Sequence, residues 1–264
     1  MSQQPIGVFD SGIGGLTVLR ELLARLPGES FVYFGDTARV PYGTKSAETV
    51  QRFSRENVHL LLDRNVKMVV VACNTASSHA LPMLESEFAV PIVGVIEPGV
   101  RAAVEATRDG RIGVIGTAAT VRSNAYPSKI QAKLPDAVVI SQACPLFVPL
   151  VEEGWIDGPL TRMVAREYLA VYDGTGIDTL VLGCTHYPLL KGVIGEAVGK
   201  DVVLVDSAVE TAREVEGVLR ERGIAGSGGG DFHIILSDTS PAFEGLATRC
   251  LGRIVPDIEL VSVG

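Results

Sequence analysis

Two cysteines in this sequence occupy similar local settings, and both settings favour reactive chemistry. Cys73 follows an apolar, β-branched run at residues 69–72, and Cys184 follows a similar run at residues 179–183. Both runs are typical of buried parallel strands. A thiol where such a strand ends and a helix begins lies at the sheet edge that binds ligands in open α/β proteins. Backbone N–H groups and a helix N-terminus favour the thiolate there, so both cysteines are candidate reactive groups.

Two other interpretations of these cysteines stay open. A buried cysteine is a common small core residue, and Cys184 with His186 could ligate a metal. Two cysteines at matching places are harder to explain as core, and zinc sites usually show tighter clusters such as paired C-x2-C. We therefore favour functional thiols and expect no metal. Cys144 and Cys250 lack polar neighbours of this kind, and we interpret them as core residues.

Short polar residues follow both thiols. Asn74 and Thr75 lie in the predicted N-cap region of one helix, and Thr185 and His186 occupy the matching place in the second stretch. Their hydroxyl and N–H groups could also hold a ligand carboxylate. His186 could polarise its neighbouring thiol or orient a carboxylate, or it could simply cap a helix. Glu152, in a predicted loop, is on sequence alone a surface acid.

A glycine-rich turn at residues 10–15 is the third candidate site element. It is not a dinucleotide fingerprint, because the third glycine would fall at Thr17, and no Lys-Ser/Thr pair follows to make a phosphate-binding P-loop. It could be an anion cradle at a helix N-terminus, or a plain tight turn with Asp10 bonded to the backbone. We favour the cradle, because N–H groups beside a carboxylate would suit a zwitterion such as an amino acid.

The elements that must position these residues alternate as strand and helix along the chain. Residues 7–11 resemble residues 113–117, and one of the two cysteine strands follows each at a similar distance, so we infer an internal duplication. The sequence predicts an α/β protein with two similar, doubly wound parallel-sheet lobes and an active site in the cleft between them. We place the first lobe at residues 1–97 plus 208–264, because the tail exceeds the duplicated unit, and the second at residues 98–207.

Some predicted elements flank the site directly. We expect one helix over residues 74–88, a strand at 91–95 that is closed by Glu-Pro-Gly at 97–99, and one helix over 118–132. The stretch at residues 144–153 shows no clear period, and we expect it to be irregular or extended.

Composition argues against several classes of function. The chain has 264 residues, of which 47% are hydrophobic, which is enough for one large or two modest globular domains. A net charge of −8 and a pI of about 5.1 argue against nucleic acid or an anionic membrane as the main partner. We see no apolar run of membrane-spanning length and no signal peptide. The four scattered cysteines are then expected to be free thiols.

Four motifs are distributed over almost the whole chain. They are Asp10-Ser11-Gly12-Ile13-Gly14-Gly15, Pro41-Tyr42-Gly43, Ala72-Cys73-Asn74-Thr75-Ala76 and Gly183-Cys184-Thr185-His186-Tyr187-Pro188. This set resembles the glutamate racemases of the cofactor-independent aspartate/glutamate racemase family, with no departure from the family pattern at a catalytic position.

The resemblance implies a cytoplasmic isomerase that converts L-glutamate to D-glutamate for peptidoglycan synthesis, with no cofactor. It implies that Cys73 and Cys184 are the catalytic acid/base pair, with supporting roles for Asp10, Glu152 and His186. Substrate binding is implied for a larger set: Asp10, Ser11, Tyr42, Gly43, Asn74, Thr75, Thr117, Thr185 and His186. The expected partner is the small-molecule substrate, and a homodimer is left open.

The residue types agree with this chemistry. Racemisation requires one group to remove the α-proton and another, on the opposite face, to return a proton, and two thiols facing each other across a cleft supply both. No lysine shows an obvious pyridoxal-binding context. An aspartate racemase would differ in the pocket for the distal carboxylate. A thiol hydrolase or amidase would leave one cysteine without a role, and an amino-acid-binding protein would tolerate the loss of both.

Overall fold

Parallel β-strands in two separate sheets form the framework of the molecule. The structure is a computed structural model that describes residues 3–226, 230–239, 243–255 and 257–263. The strands of the described chain are β1 (Ile6–Asp10), β2 (Phe31–Gly35), β3 (Met68–Val71), β4 (Ile92–Gly94), β5 (Arg111–Gly116), β6 (Val138–Ala143), β7 (Thr179–Gly183), β8 (Val203–Val205), β9 (Phe232–Leu236) and β10 (Ile258–Leu260).

Helices separate most of these strands, as the alternating pattern predicts. They are α1 (Leu16–Arg25), α2 (Ala47–Leu62), α3 (Asn74–His79), α4 (Leu81–Glu87), α5 (Ile96–Ala106), α6 (Ala118–Arg122), α7 (Ala125–Lys133), α8 (Phe147–Glu152), α9 (Pro159–Leu169), α10 (Lys191–Val198), α11 (Ala208–Glu221) and α12 (Phe243–Leu251). Among the described residues, no helix combines the length and apolarity that a membrane crossing requires.

The strand order repeats between the two sheets. The first sheet has the order β10-β9-β2-β1-β3-β4, and the second has the order β6-β5-β7-β8. The order β2-β1-β3-β4 in one sheet therefore corresponds to β6-β5-β7-β8 in the other, with parallel pairing throughout. This is the duplicated, parallel α/β architecture that the sequence predicted. It places β3 and β7, the strands that precede the two cysteines, at equivalent positions.

The C-terminal part of the chain returns to the first sheet. Strand β9 pairs with β2, and β10 pairs with β9, so both extend the sheet that contains β1. Helix α11 packs against α1, and Arg25 of α1 pairs with Glu216 of α11. The predicted return of the tail is confirmed by this pairing, while the boundaries at residues 97–98 and 207–208 stay predictions.

Two helices were not predicted, and proline explains both omissions. Glu-Pro-Gly at 97–99 lies in the first turn of α5 rather than closing a strand, and α8 occupies part of the stretch expected to be irregular. Pro98 and Pro149 each stand at the third helical residue. N–H groups in the first turn have no partner within the helix, so proline there costs no hydrogen bond. Because proline is also common in turns and loops, the sequence pattern alone favours a loop at both places.

Two predicted helices are each divided in two. Residues 74–88 form α3 and α4, which meet at Ala80, and Pro82 stands at the start of α4, where its missing N–H favours a break. Residues 118–132 form α6 and α7, because Asn124 between them adopts the left-handed conformation with φ of 55°. Both breaks turn the chain immediately after a sheet edge, so a short first helix faces the cleft in each lobe.

The largest apolar cluster joins the two lobes. It includes Leu16 and Ile234 from the first lobe together with Ile115, Phe147 and Leu182 from the second. Burial of this shared surface opposes separation of the sheets and holds their carboxyl edges face to face. Cys144 and Cys250 are free, fully buried thiols, as predicted for core residues.

Candidate active site

A small cavity lies between the carboxyl edges of the two sheets. Its free volume is about 20 Å3, which is room for a single water molecule. The lining residues are Ser11, Val40, Pro41, Tyr42, Gly43, Cys73, Asn74, Thr75, Thr117, Val148, Cys184, Thr185 and His186. The structure thus brings both cysteines to one cavity with most of the predicted substrate-binding residues. Asp10 and Glu152 do not line it, and Val40, Pro41 and Val148 are additions.

Cys73 forms the junction between β3 and α3. It is itself the N-cap of α3, and its Sγ accepts from Ala76 N–H at 3.5 Å. Asn74 and Thr75 are the first two residues of that helix, in the predicted N-cap region. The thiol donates to Ser11 Oγ at 3.7 Å. Burial raises the pKa of Cys73 to about 12, and the charge of Asp10 adds to the rise. The expectation that the sheet edge favours a thiolate is therefore wrong for Cys73, because desolvation outweighs the backbone N–H groups.

Asp10 contacts residues of the site but does not line the cavity. The side chain is fully buried, accepts from Gly12 N–H at 3.1 Å, and lies 3.4 Å from Thr185 Oγ1 of the second lobe. Burial raises the pKa of its carboxyl. The turn at residues 10–15 therefore directs N–H groups to its own carboxylate, so the predicted open anion cradle is wrong. Ser11 alone among the six turn residues reaches the cavity lining.

Cys184 has a different neighbour, the imidazole of His186. Its Sγ lies 3.8 Å from His186 Nδ1. His186 Nε2 is 3.3 Å from Glu152 Oε1, an ion-pair distance, and has no aligned hydrogen-bond acceptor in the described part of the chain. Burial alone would lower the pKa of His186, but its contacts with the Cys184 sulfur and the Glu152 carboxylate outweigh burial and raise the pKa to about 10. At neutral pH this histidine is an imidazolium, so a positive charge lies beside the Cys184 sulfur.

Glu152 is more than the surface acid that its predicted loop suggested. It is the last residue of α8, and its side chain is about one-third exposed. The carboxylate contacts the buried histidine on one side and lines a second cavity of about 200 Å3 on the other. The missed helix α8 explains the error, because only its end brings residue 152 to the site.

Three threonine hydroxyls connect the lobes at the cavity. Thr75 on α3 lies 2.9 Å from Thr117, the N-cap of α6, and Thr120 is within 3.2 Å of both. Thr117 Oγ1 also accepts from Thr120 N–H, as an N-cap does. These hydroxyls can turn toward a carboxylate, so the two lobes together present donors to one ligand. Thr120 was not predicted.

The Pro-Tyr-Gly motif contributes through its backbone. The Tyr42 hydroxyl donates to Asp36 and accepts from Asn57 Nδ2 at 3.0 Å, and burial raises its pKa. Because the Tyr42 hydroxyl already has these two partners, it is not free to bind a ligand. This segment can contact a ligand only through its backbone N–H groups. Gly43 lies so close to the second lobe that a Cβ would come 2.6 Å from Thr117 Cβ, which explains the glycine.

One buried contact to the site carried no signal in the sequence. The Tyr126 hydroxyl, on α7, donates to Asn74 Oδ1 at 2.8 Å. No motif contains Tyr126, and it is remote in sequence from its partner. Packing between the lobes creates this contact, so local pattern could not have predicted it.

Comparisons with known proteins show that this chain is similar to racemases. A family model described as Asp/Glu/Hydantoin racemase matches residues 6–215. A glutamate racemase from Geobacter metallireducens is 53% identical over 265 residues, covering 100% of this chain and 98% of that protein.

Solved structures agree with the sequence matches. A glutamate racemase from Francisella tularensis in complex with D-glutamate superimposes with a TM-score of 0.93 at 38% identity, covering 100% of this chain and 99% of that one. A glutamate racemase from Thermus thermophilus in complex with beta-chloro-D-alanine gives 0.87 at 48% identity, covering 99% and 98%.

Proposed function

This chain belongs to the Asp/Glu/hydantoin racemase family and is an isomerase, and we propose that it interconverts L- and D-glutamate by proton transfer between Cys73 and Cys184 without a cofactor. One observation carries the proposal. The two cysteines follow equivalent strands of the duplicated sheets, and both line the same cavity. A single reactive thiol would need no such symmetry, whereas racemisation needs one acid/base group for each face of the α-carbon.

We propose that the two thiols start in different protonation states. The raised pKa of Cys73 keeps that thiol protonated, whereas Cys184 lies beside the His186 imidazolium, whose positive charge can compensate a negative charge on sulfur. We propose that Cys184 Sγ takes the α-proton from one enantiomer and that Cys73 gives its proton to the opposite face. The product then has inverted configuration, and the enzyme holds a thiol at Cys184 and a thiolate at Cys73. The other enantiomer reacts from that second state.

Supporting groups stabilise each charge state. The His186 imidazolium compensates the Cys184 thiolate, and Glu152 holds His186 in its charged form. On the opposite side, Ser11 Oγ accepts from the neutral Cys73 thiol and can donate to the thiolate. Asp10 orients the turn that carries Ser11 by accepting from Gly12 N–H.

The cavity also suits the transition state. Removing the α-proton of an amino-acid carboxylate creates a second negative charge on the carboxylate side, so catalysis requires donors held in place in a dry site. Asn74, Thr75, Thr117 and Thr185 present hydroxyl and amide groups from both lobes. The cavity has room for only about one water molecule, and a hydrogen bond in so dry a site is stronger than in bulk solvent.

The amino-acid product suggests the cellular role. We propose that D-glutamate formed here supplies peptidoglycan synthesis in the cytoplasm, in agreement with the relatives named glutamate racemase. A homodimer is an option that sedimentation of the purified protein would decide. The proposed domain boundaries place Cys73 in one lobe and Cys184 in the other.

A chirality assay tests the activity. Purified protein, dialysed exhaustively against a chelator, is incubated with L-glutamate or L-aspartate, and both enantiomers are followed by chiral chromatography. We expect D-glutamate to form without additions and aspartate to react much more slowly. Faster turnover of aspartate would change the substrate. Activity that disappears on dialysis and returns with pyridoxal phosphate or a metal would contradict the cofactor-independent mechanism.

A further inference from the structure

We infer that Tyr126 is a positioning residue that fixes the orientation of the Asn74 amide toward the substrate. The inference rests on the proposed function, in which Asn74 contacts glutamate. Tyr126 belongs to α7 of the second lobe, whereas Asn74 begins α3 of the first. Their hydrogen bond therefore joins the lobes directly beside the cavity.

The direction of this hydrogen bond decides what Asn74 can offer. A tyrosine hydroxyl at 2.8 Å donates to Asn74 Oδ1, and burial raises the pKa of Tyr126, so the donor proton is retained. With its oxygen held, the amide turns its NH2 group elsewhere. Asn74 lines the cavity, and across the described ranges its Nδ2 has no protein acceptor. The amide thus presents a donor, which a substrate carboxylate accepts.

Two glycines of the second lobe leave room for the Tyr126 ring. A Cβ at Gly99 would lie 3.0 Å from the Tyr126 hydroxyl, and a Cβ at Gly183 would lie 3.2 Å from ring atom Cε2. Tyr126 itself is 1% exposed. The missing side chains of these two glycines leave the space that the ring occupies. The tyrosine is therefore packed as closely as a core residue.

Loss of the hydroxyl should act through the amide. In Tyr126→Phe the oxygen of Asn74 loses its donor, and the amide can rotate to present either its oxygen or its nitrogen. An oxygen facing a carboxylate is repulsive. We expect kcat/KM to fall about tenfold for both enantiomers, mainly through KM, as for the loss of one well-placed hydrogen bond.

A double-mutant cycle tests this route. Racemisation in both directions and D-glutamate affinity by calorimetry are measured for Tyr126→Phe, Asn74→Ala and the double variant. Tyr172→Phe is the matched control, because the Tyr172 hydroxyl is also buried in the second lobe but donates to backbone carbonyls, 3.1 Å from Val114 O. Thermal unfolding of all variants separates a loss of stability from a loss of binding.

The expected result is strong coupling. Tyr126→Phe should weaken binding in the wild-type background, should add no further loss to Asn74→Ala, and should differ from Tyr172→Phe, which should keep the wild-type KM. Losses that add, or an equal rise in KM for the Tyr172 control, would overturn the assignment. An intact coupling in the calorimetry with no turnover by the wild-type protein would contradict the proposed function instead, and would leave the assignment of Tyr126 standing.

Discussion

The raised pKa of Cys73 leads to a quantitative prediction for chemical labelling. Burial raises the pKa of Cys73 from the ordinary value of 9.0 to about 12. At pH 8 this lowers the thiolate fraction about a thousandfold. A more basic thiolate is intrinsically more nucleophilic, with a Brønsted slope of about 0.4–0.5. The Cys73 thiolate that does form is therefore about 20-fold more reactive, which offsets part of the decrease in its fraction. Cys73 should therefore react about 50-fold more slowly than an ordinary thiol with the same access.

Cys184 provides the internal comparison. Both thiols line one cavity of about 20 Å3, which must widen before iodoacetamide can enter. That widening is common to both thiols and cancels in the ratio of their rates. His186 places its positive charge beside the sulfur of Cys184, and a neighbouring cation makes a thiol more reactive. We expect iodoacetamide to label Cys184 first in the free protein between pH 7 and 9. Peptide mass spectrometry after timed quenching measures both rates in one sample.

Two variants of the labelling experiment sharpen it. Asp10→Asn should speed labelling of Cys73, because the charge of Asp10 contributes to its raised pKa. D-Glutamate should protect both thiols, since one cavity serves both. The core thiols Cys144 and Cys250 should stay unlabelled until the protein unfolds, which gives an internal control for folding. Labelling of Cys73 as fast as Cys184 in folded protein would refute the assignment of the protonation states.

Three further perturbations test the mechanism, the lobe contact and the fold. In heavy water, early product should carry α-deuterium while recovered substrate keeps its proton, as NMR of both enantiomers can measure; early deuterium in recovered substrate would indicate one base serving both faces. Cys73→Ala or Cys184→Ala should stop racemisation in both directions. Gly14→Ala should cost about 1–3 kcal/mol of stability and most of the activity, because its Cβ would lie 2.4 Å from a threonine hydroxyl of the other lobe, and a wild-type melting temperature would contradict this close packing. Lys67→Met should destabilise the protein by about 3–5 kcal/mol by leaving the buried Glu29 carboxylate unpaired, and adding Glu29→Met should recover much of that loss in denaturant unfolding, since both side chains are at most 5% exposed.

The sequence alone was sufficient for what local chemistry determines. Apolar β-branched runs predicted β3 and β7, because only a strand buried on both faces needs that composition. A cysteine followed by short polar residues then had to lie where strand becomes helix. The matching halves predicted the duplicated strand order, since similar local sequences fold into similar units.

Tertiary structure decided what depends on the opposite lobe. The pKa of Cys73 rises because surrounding atoms exclude water, and burial by remote residues leaves no mark in the local sequence. Glu152 meets His186 only because α8 forms with a proline in its first turn, where the sequence suggested a loop. Tyr126 reaches Asn74 across the lobe interface. Sequence spacing specifies neighbours within an element, whereas contacts between elements arise from how the two sheets pack.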